Sequence, residues 1–182
     1  MYNSQAKLAL KYSSTMNNSI RRSTLSHIFL KNKLKVAVLG GGSWATALIK
    51  IITENKRKVG WYVRKDVNIE FIKTNHHNPN YISSTSLNTR RLKISSNINQ
   101  VIIDADILII AIPSAFISSE LAKINTLINE KIIFTAVKGV VPESMLIVGK
   151  HLHEKHNVPY EKIGVITGPC HAEEVAMERL SF

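Results

Sequence analysis

One cysteine in 182 residues leaves no partner for an intramolecular disulfide, which excludes a disulfide-stapled scaffold and suits a reducing, cytoplasmic location. No apolar run approaches the roughly 18 residues that a membrane-spanning helix needs, so the chain reads as soluble, with no membrane insertion. Acidic residues are scarce, 13 against 24 Lys and Arg, for a formal net charge of +11. Aromatics make up only 7%, and no basic stripe is interleaved with them, so a nucleic-acid partner is not expected. The excess charge is also uneven. Residues 1–33 hold six basic residues and no acid, whereas the other 149 residues carry only +5. A mildly basic body suits an anionic small molecule.

That first segment, rich in Ser and Asn as well as bases, has no secretory-type apolar core. It reads as a basic, disordered or misassigned leader over 1–33, with an organelle transit peptide as the alternative. From residue 34 onward strand and helix signals alternate. Apolar, β-branched runs predict strands at Lys35–Leu39, Lys58–Val63, Leu92–Ser95, Ile107–Ile112, Lys131–Val137 and Ile163–Thr167. Helices are predicted over Ser43–Asn55, Phe116–Ile128 and Ser144–His156, with another opened by GPCHAEEVAMER. Lys73–Asn88 reads as a long connection. This alternation predicts an α/β fold, a doubly wound and mostly parallel sheet, over 34–182.

KVAVLGGGSWATALIK places Gly40-x-Gly42-x-x-Ala45 between a strand and a helix, the context in which this spacing signals dinucleotide binding. The first glycine permits the tight turn, the second lets a pyrophosphate approach bare backbone, and the small third residue lets helix and strand pack closely. Free amides at the positive end of the helix favour the phosphates. After the second strand, VGWYVRKD offers Arg64 and Lys65 before Asp66. A guanidinium there can pair with a ribose 2′-phosphate, which favours NADP, while Asp66 keeps NAD open.

The histidines show no metal-ligand pattern. His76 and His77 fall in a polar loop, and His151, His153 and His156 on a helix without a Cys or carboxylate to complete a set, so all read as solvated and no metal is expected. Adjacent Cys170 and His171 diverge too far to act as nucleophile and base. Glu173 and Glu174 suit a first helical turn.

GGGSWATAL, WYVR, AIPSAF, AVKG followed by VPE, and ITGPCHAEEVAMERLS occur in one order, and together they resemble bacterial NAD(P)-dependent glycerol-3-phosphate dehydrogenase from Lys35 to Phe182. The resemblance implies a Rossmann-type nucleotide-binding part of an enzyme that reduces dihydroxyacetone phosphate to sn-glycerol 3-phosphate, a phospholipid precursor. It implies cofactor contacts from Gly40, Gly42, Ser43, Trp44, Arg64, Tyr81, Pro113, Lys138 and Ala172. Substrate contacts would come from Lys138, Gly168 and Cys170, where the family usually carries Ser or Thr in place of Cys170. The family's general acid/base lysine belongs to a helical substrate domain that follows. It is expected beyond residue 182, which predicts little activity for this chain alone and leaves a homodimer open for the full-length enzyme. A stand-alone dinucleotide-binding module and a related two-domain hydroxy-acid dehydrogenase are the alternatives.

Overall fold

A computed structural model describes residues 34–55, 57–166 and 171–177. The leader expected over 1–33 lies outside them, as do Gly168 and Cys170. Four strands come first along the chain: β1 (Val36–Leu39), β2 (Val59–Tyr62), β3 (Leu92–Ser95) and β4 (Ile107–Ile110). With β5 (Ile132–Thr135) and a last strand at Ile163–Val165 they make a six-stranded sheet. All pairings are parallel, and the spatial order is β3-β2-β1-β4-β5 followed by the last strand. Strand order therefore reverses between β1 and β4, the position where open α/β sheets leave a crevice at their carboxyl edge.

Both faces are covered, because alternate residues along each strand point opposite ways. On one face Val38, Val59, Trp61 and Ile109 pack with Ala45 and Ile49 of α1 (Ser43–Glu54) and with Ile69 and Ile72 of α2 (Asp66–Asn75). On the other, Leu39, Leu108, Ile110 and Ile133 meet α3 (Ile98–Ile102), α4 (Ile117–Leu121) and α5 (Val148–His156). Ala45 is wholly buried, so the small side chain three residues after Gly42 sets the close approach of α1 to the sheet. The last described helix, α6 (Ala172–Ala176), lays Ala172 and Ala176 against Ala47 of α1 and begins with Glu173 and Glu174 in its first turn. No helix among the described residues is long and apolar enough to cross a membrane.

Local differences from the sequence expectations have identifiable causes. The helix expected over Phe116–Ile128 ends at Leu121. There the Lys123 and Ile124 amides turn back to the Glu120 and Leu121 carbonyls, and Asn99 bonds both the Lys123 carbonyl and the Asn125 amide, pulling the chain off the helical path. The helix expected from Ser144 starts at Val148 instead, because Val140–Val141 and Leu146–Ile147 pair as an antiparallel hairpin, closed by the Met145 amide on the Val141 carbonyl with Met145 at φ 54°. Helices α2 and α3 were not anticipated. Helix α2 takes the start of the segment expected to be a long connection, which shortens it to residues 76–88.

The histidines of α5 correct the solvated reading. His151 is buried, with Nδ1 2.9 Å from the Ser144 hydroxyl, and His153 lies 2.9 Å from the Val158 carbonyl and stacks on Tyr160. Burial first, then the nearby Lys155 charge, holds His151 below the usual imidazole range.

Candidate functional site

The register of the sheet assembles the site. Leu39 aligns with Tyr62 on one side and with Ile110 on the other, and Ile110 aligns with Thr135. The residues that follow these four emerge side by side: the glycine turn after β1, Val63 to Lys65 after β2, Ala111 to Pro113 after β4, and Lys138 three residues after β5.

The two glycines of the motif stand in different surroundings. Gly40 has φ +128°, and a Cβ there would lie 2.4 Å from the Ala111 carbonyl oxygen, so the neighbouring strand excludes any side chain. Its amide donates to the Tyr62 carbonyl at 3.1 Å, and its own carbonyl accepts from the indole of buried Trp61 at 2.7 Å. Gly42 differs. Its φ of −82° is open to any residue, and a Cβ there would meet nothing within 4 Å. Neither strain nor packing requires a glycine at that position; the free space lies in front of bare backbone. No side chain caps α1, so the amides of its first turn remain available to an outside acceptor. An anion therefore finds room, donors and the positive end of a 12-residue helix in one place.

A cleft of about 420 Å³ opens from this turn. It is lined by Gly40, Gly41 and Gly42, by Arg64, Lys65 and Asn68 after β2, by Ile112, Pro113 and Phe116 after β4, and by Asn80 and Tyr81. The loop bearing Tyr81 is tied down by Asn78, which is 1% exposed. The Asn78 amide nitrogen donates to the Thr46 hydroxyl at 2.8 Å and the Gly41 carbonyl at 3.1 Å, and its oxygen accepts from the Asn80 amide at 3.0 Å. The Thr46 hydroxyl in turn donates to the Gly42 carbonyl at 2.9 Å. Asn78 thus joins the loop to the glycine turn.

Of the residues expected at the site, Gly40, Gly42, Arg64, Tyr81 and Pro113 come together around the cleft. Ser43 begins α1 beside it. Trp44 is half-buried against both the sheet and the Ala47–Ala172–Ala176 seam, and Ala172 belongs to that seam rather than to the cleft wall. Lys138 stands exposed past β5, on the same edge of the sheet but outside the cleft lining.

Glu120, Tyr62 and Phe116 line the cleft without having been anticipated. The Glu120 carboxylate accepts from the Tyr62 hydroxyl on one oxygen; its other oxygen lies 2.8 Å from Lys123 Nζ and 3.9 Å from Arg64 Nη1. The Arg64 guanidinium lies over the Phe116 ring, 5.6 Å from its centroid. Burial alone would raise the Glu120 carboxyl, but hydrogen bonds from Lys123 and Tyr62 and the charges of Lys123 and Arg64 outweigh it and hold the group below its usual range. Burial first, then the hydrogen bond to Glu120 and its charge, push the Tyr62 phenol well up.

A six-stranded parallel sheet, wound on both faces and carrying a glycine turn at its switch point, defines the Rossmann class of nucleotide-binding folds. Residues 35–181 match the family described as NAD-dependent glycerol-3-phosphate dehydrogenase N-terminus. The chain belongs to this family. It is 37% identical over 147 residues to a glycerol-3-phosphate dehydrogenase [NAD(P)+] of Macrococcus caseolyticus, covering 80% of this chain and 44% of that protein. The Bacillus subtilis protein of the same name is 35% identical over 146 residues, 79% of this chain and 42% of the relative. A solved glycerol-3-phosphate dehydrogenase of Plasmodium falciparum superposes with a TM-score of 0.74 at 26% identity, over 86% of this chain and 46% of that one. The chain thus spans less than half the length of each of these relatives.

Proposed function

We propose that this chain is the nucleotide-binding part of an NAD(P)H-dependent glycerol-3-phosphate dehydrogenase, which reduces dihydroxyacetone phosphate to sn-glycerol 3-phosphate for phospholipid synthesis. The observation that carries the reading is Gly42, where neither conformation nor packing requires the absence of a side chain but a pyrophosphate would. Relatives bearing the NAD(P)+ dehydrogenase name support it.

The pyrophosphate would rest on Gly40, Gly42 and the first α1 amides, with Ser43 and Trp44 at that helix start. Arg64 would meet the adenosine end, and Tyr81 and Pro113 would flank the cofactor. A bound reduced nicotinamide would supply the hydride. Lys138, a positive charge past β5, would hold the substrate's anionic oxygens on the same sheet edge and reach the cofactor as well, with Gly168 and Cys170 completing the substrate contacts and Ala172 touching the cofactor. A phosphorylated triose is the partner this reading requires. It also assigns a cytoplasmic location and no nucleic-acid partner, with a homodimer as the assembly to test in a full-length enzyme.

Titrating the purified chain with NADPH and NADH tests the reading. The expected result is saturable enhancement of nicotinamide fluorescence together with a raised melting temperature. Folded protein that gives neither at millimolar nucleotide would refute it.

A further inference from the structure

A carboxylate stands among the cations where an anion is expected to bind. The Glu120 side chain is 6% exposed, lines the cleft, and comes from the helix after β4 rather than from the end of β2. Tyr62 and Lys123 already satisfy it, so contact with Arg64 is not needed to keep it buried. It nevertheless lies 3.9 Å from the Arg64 guanidinium, whose own side chain is 56% exposed and rests over Phe116. In this fold class the residues just after β2 face the adenosine ribose. A 2′-phosphate drawn there by Arg64 and Lys65 would meet the fixed negative charge of Glu120, whereas a plain 2′-hydroxyl would not.

We infer that Glu120 is a specificity-determining residue of the adenosine end: its buried carboxylate, shared between Lys123 and Arg64, opposes a ribose 2′-phosphate and keeps the unphosphorylated cofactor competitive. This rests on the nucleotide-binding reading above. Arg64 alone would select strongly for the phosphorylated cofactor; the Arg64–Glu120 pair selects weakly.

Two substitutions move the balance in opposite directions. Glu120→Gln keeps the volume and an acceptor for Tyr62 but removes the charge, so NADPH and 2′,5′-ADP should bind about tenfold more tightly while NADH and 5′-AMP change by less than about twofold. Lys123→Met, on an exposed side chain, leaves the whole carboxylate to Arg64 and should weaken NADPH relative to NADH by about threefold. Calorimetric or fluorescence titration of the full 182-residue chain reads both ratios. Should Glu120→Gln fail to fold, the Lys123→Met ratio decides alone. Unchanged ratios, or shifts opposite to these, in variants of a chain that itself binds both cofactors overturn the role of Glu120 and leave the nucleotide-binding reading intact. An unsubstituted chain that binds neither cofactor removes both.

Discussion

Alanine at position 40 adds a Cβ 2.4 Å from the Ala111 carbonyl oxygen, in a backbone with φ +128°. Neither side of that contact has a rotamer to change. Residue 40 follows the last residue of β1 directly, and the Ala111 amide is itself bonded to the Leu39 carbonyl at 2.8 Å. A left-handed backbone costs a residue with a Cβ about 1–2 kcal/mol, and forced overpacking adds about 1–3 kcal/mol, so Gly40→Ala should lose about 2–5 kcal/mol. Against a typical stability of about 5–15 kcal/mol that is a severe loss, worth roughly 5–20 °C in melting temperature. Gly42→Ala is the control that gives the comparison its force. Its added Cβ meets nothing, and its φ of −82° is ordinary, so stability should stay within about 1 kcal/mol of the parent. The same methyl would project into the space assigned to the pyrophosphate, so NADH and NADPH should bind at least about tenfold more weakly, a cost of about 1.4 kcal/mol. Circular dichroism melts with and without cofactor read both quantities on the same samples. Equal destabilisation by the two substitutions, or a Gly42→Ala chain that binds like the parent, would refute the division of labour within the turn.

Asn78→Ala removes three hydrogen bonds from a site 1% exposed and leaves the Thr46 hydroxyl and the Asn80 amide without that partner. It should cost about 1–3 kcal/mol in urea unfolding, and protease cleavage should rise first around Tyr81; a chain as stable and as resistant as the parent would count against the anchoring role. His151 and His156 both titrate below the ordinary imidazole value through burial, His151 also through the Lys155 charge and His156 through His151. Their depressed values mean that the unfolded chain takes up protons first, so their stabilisation is complete above about pH 6.5 and is lost progressively as pH falls below it. Urea titrations at pH 7.5 and 5.5 should show that decline, and His151→Gln should reduce it.

What could be read from the sequence is what is contiguous in it. Gly40, Gly42, Ala45 and the helix after them lie within a few residues, and their spacing carries the geometry of the turn. Arg64 follows a recognisable strand, so its place at the cleft was also legible. Glu120 was not, because its partner Tyr62 lies 58 residues away and a single glutamate in ISSEL resembles any solvated helix residue. Asn78 was hidden similarly, since it reads as a loop residue until the fold brings Thr46 beside it from 32 positions upstream. Helix α2 escaped because no side chain caps its start at Lys65 and its apolar face is short, with only Ile69 and Ile72 buried. The hairpin before α5 is not legible because Met145 has ordinary helix propensity, while its left-handed backbone is imposed by the turn it closes.

The aligned ends of β1, β2, β4 and β5 have a consequence for how such a site can change over time. Interstrand hydrogen bonds, rather than the connecting segments, fix the distance from the glycine turn to Arg64 and to Pro113. The segments beyond those ends can lengthen, shorten or be replaced while the proposed phosphate seat stays where it is. On the proposed function, new substrate preferences can therefore be grafted onto this edge of the sheet without rebuilding the grip on the nucleotide.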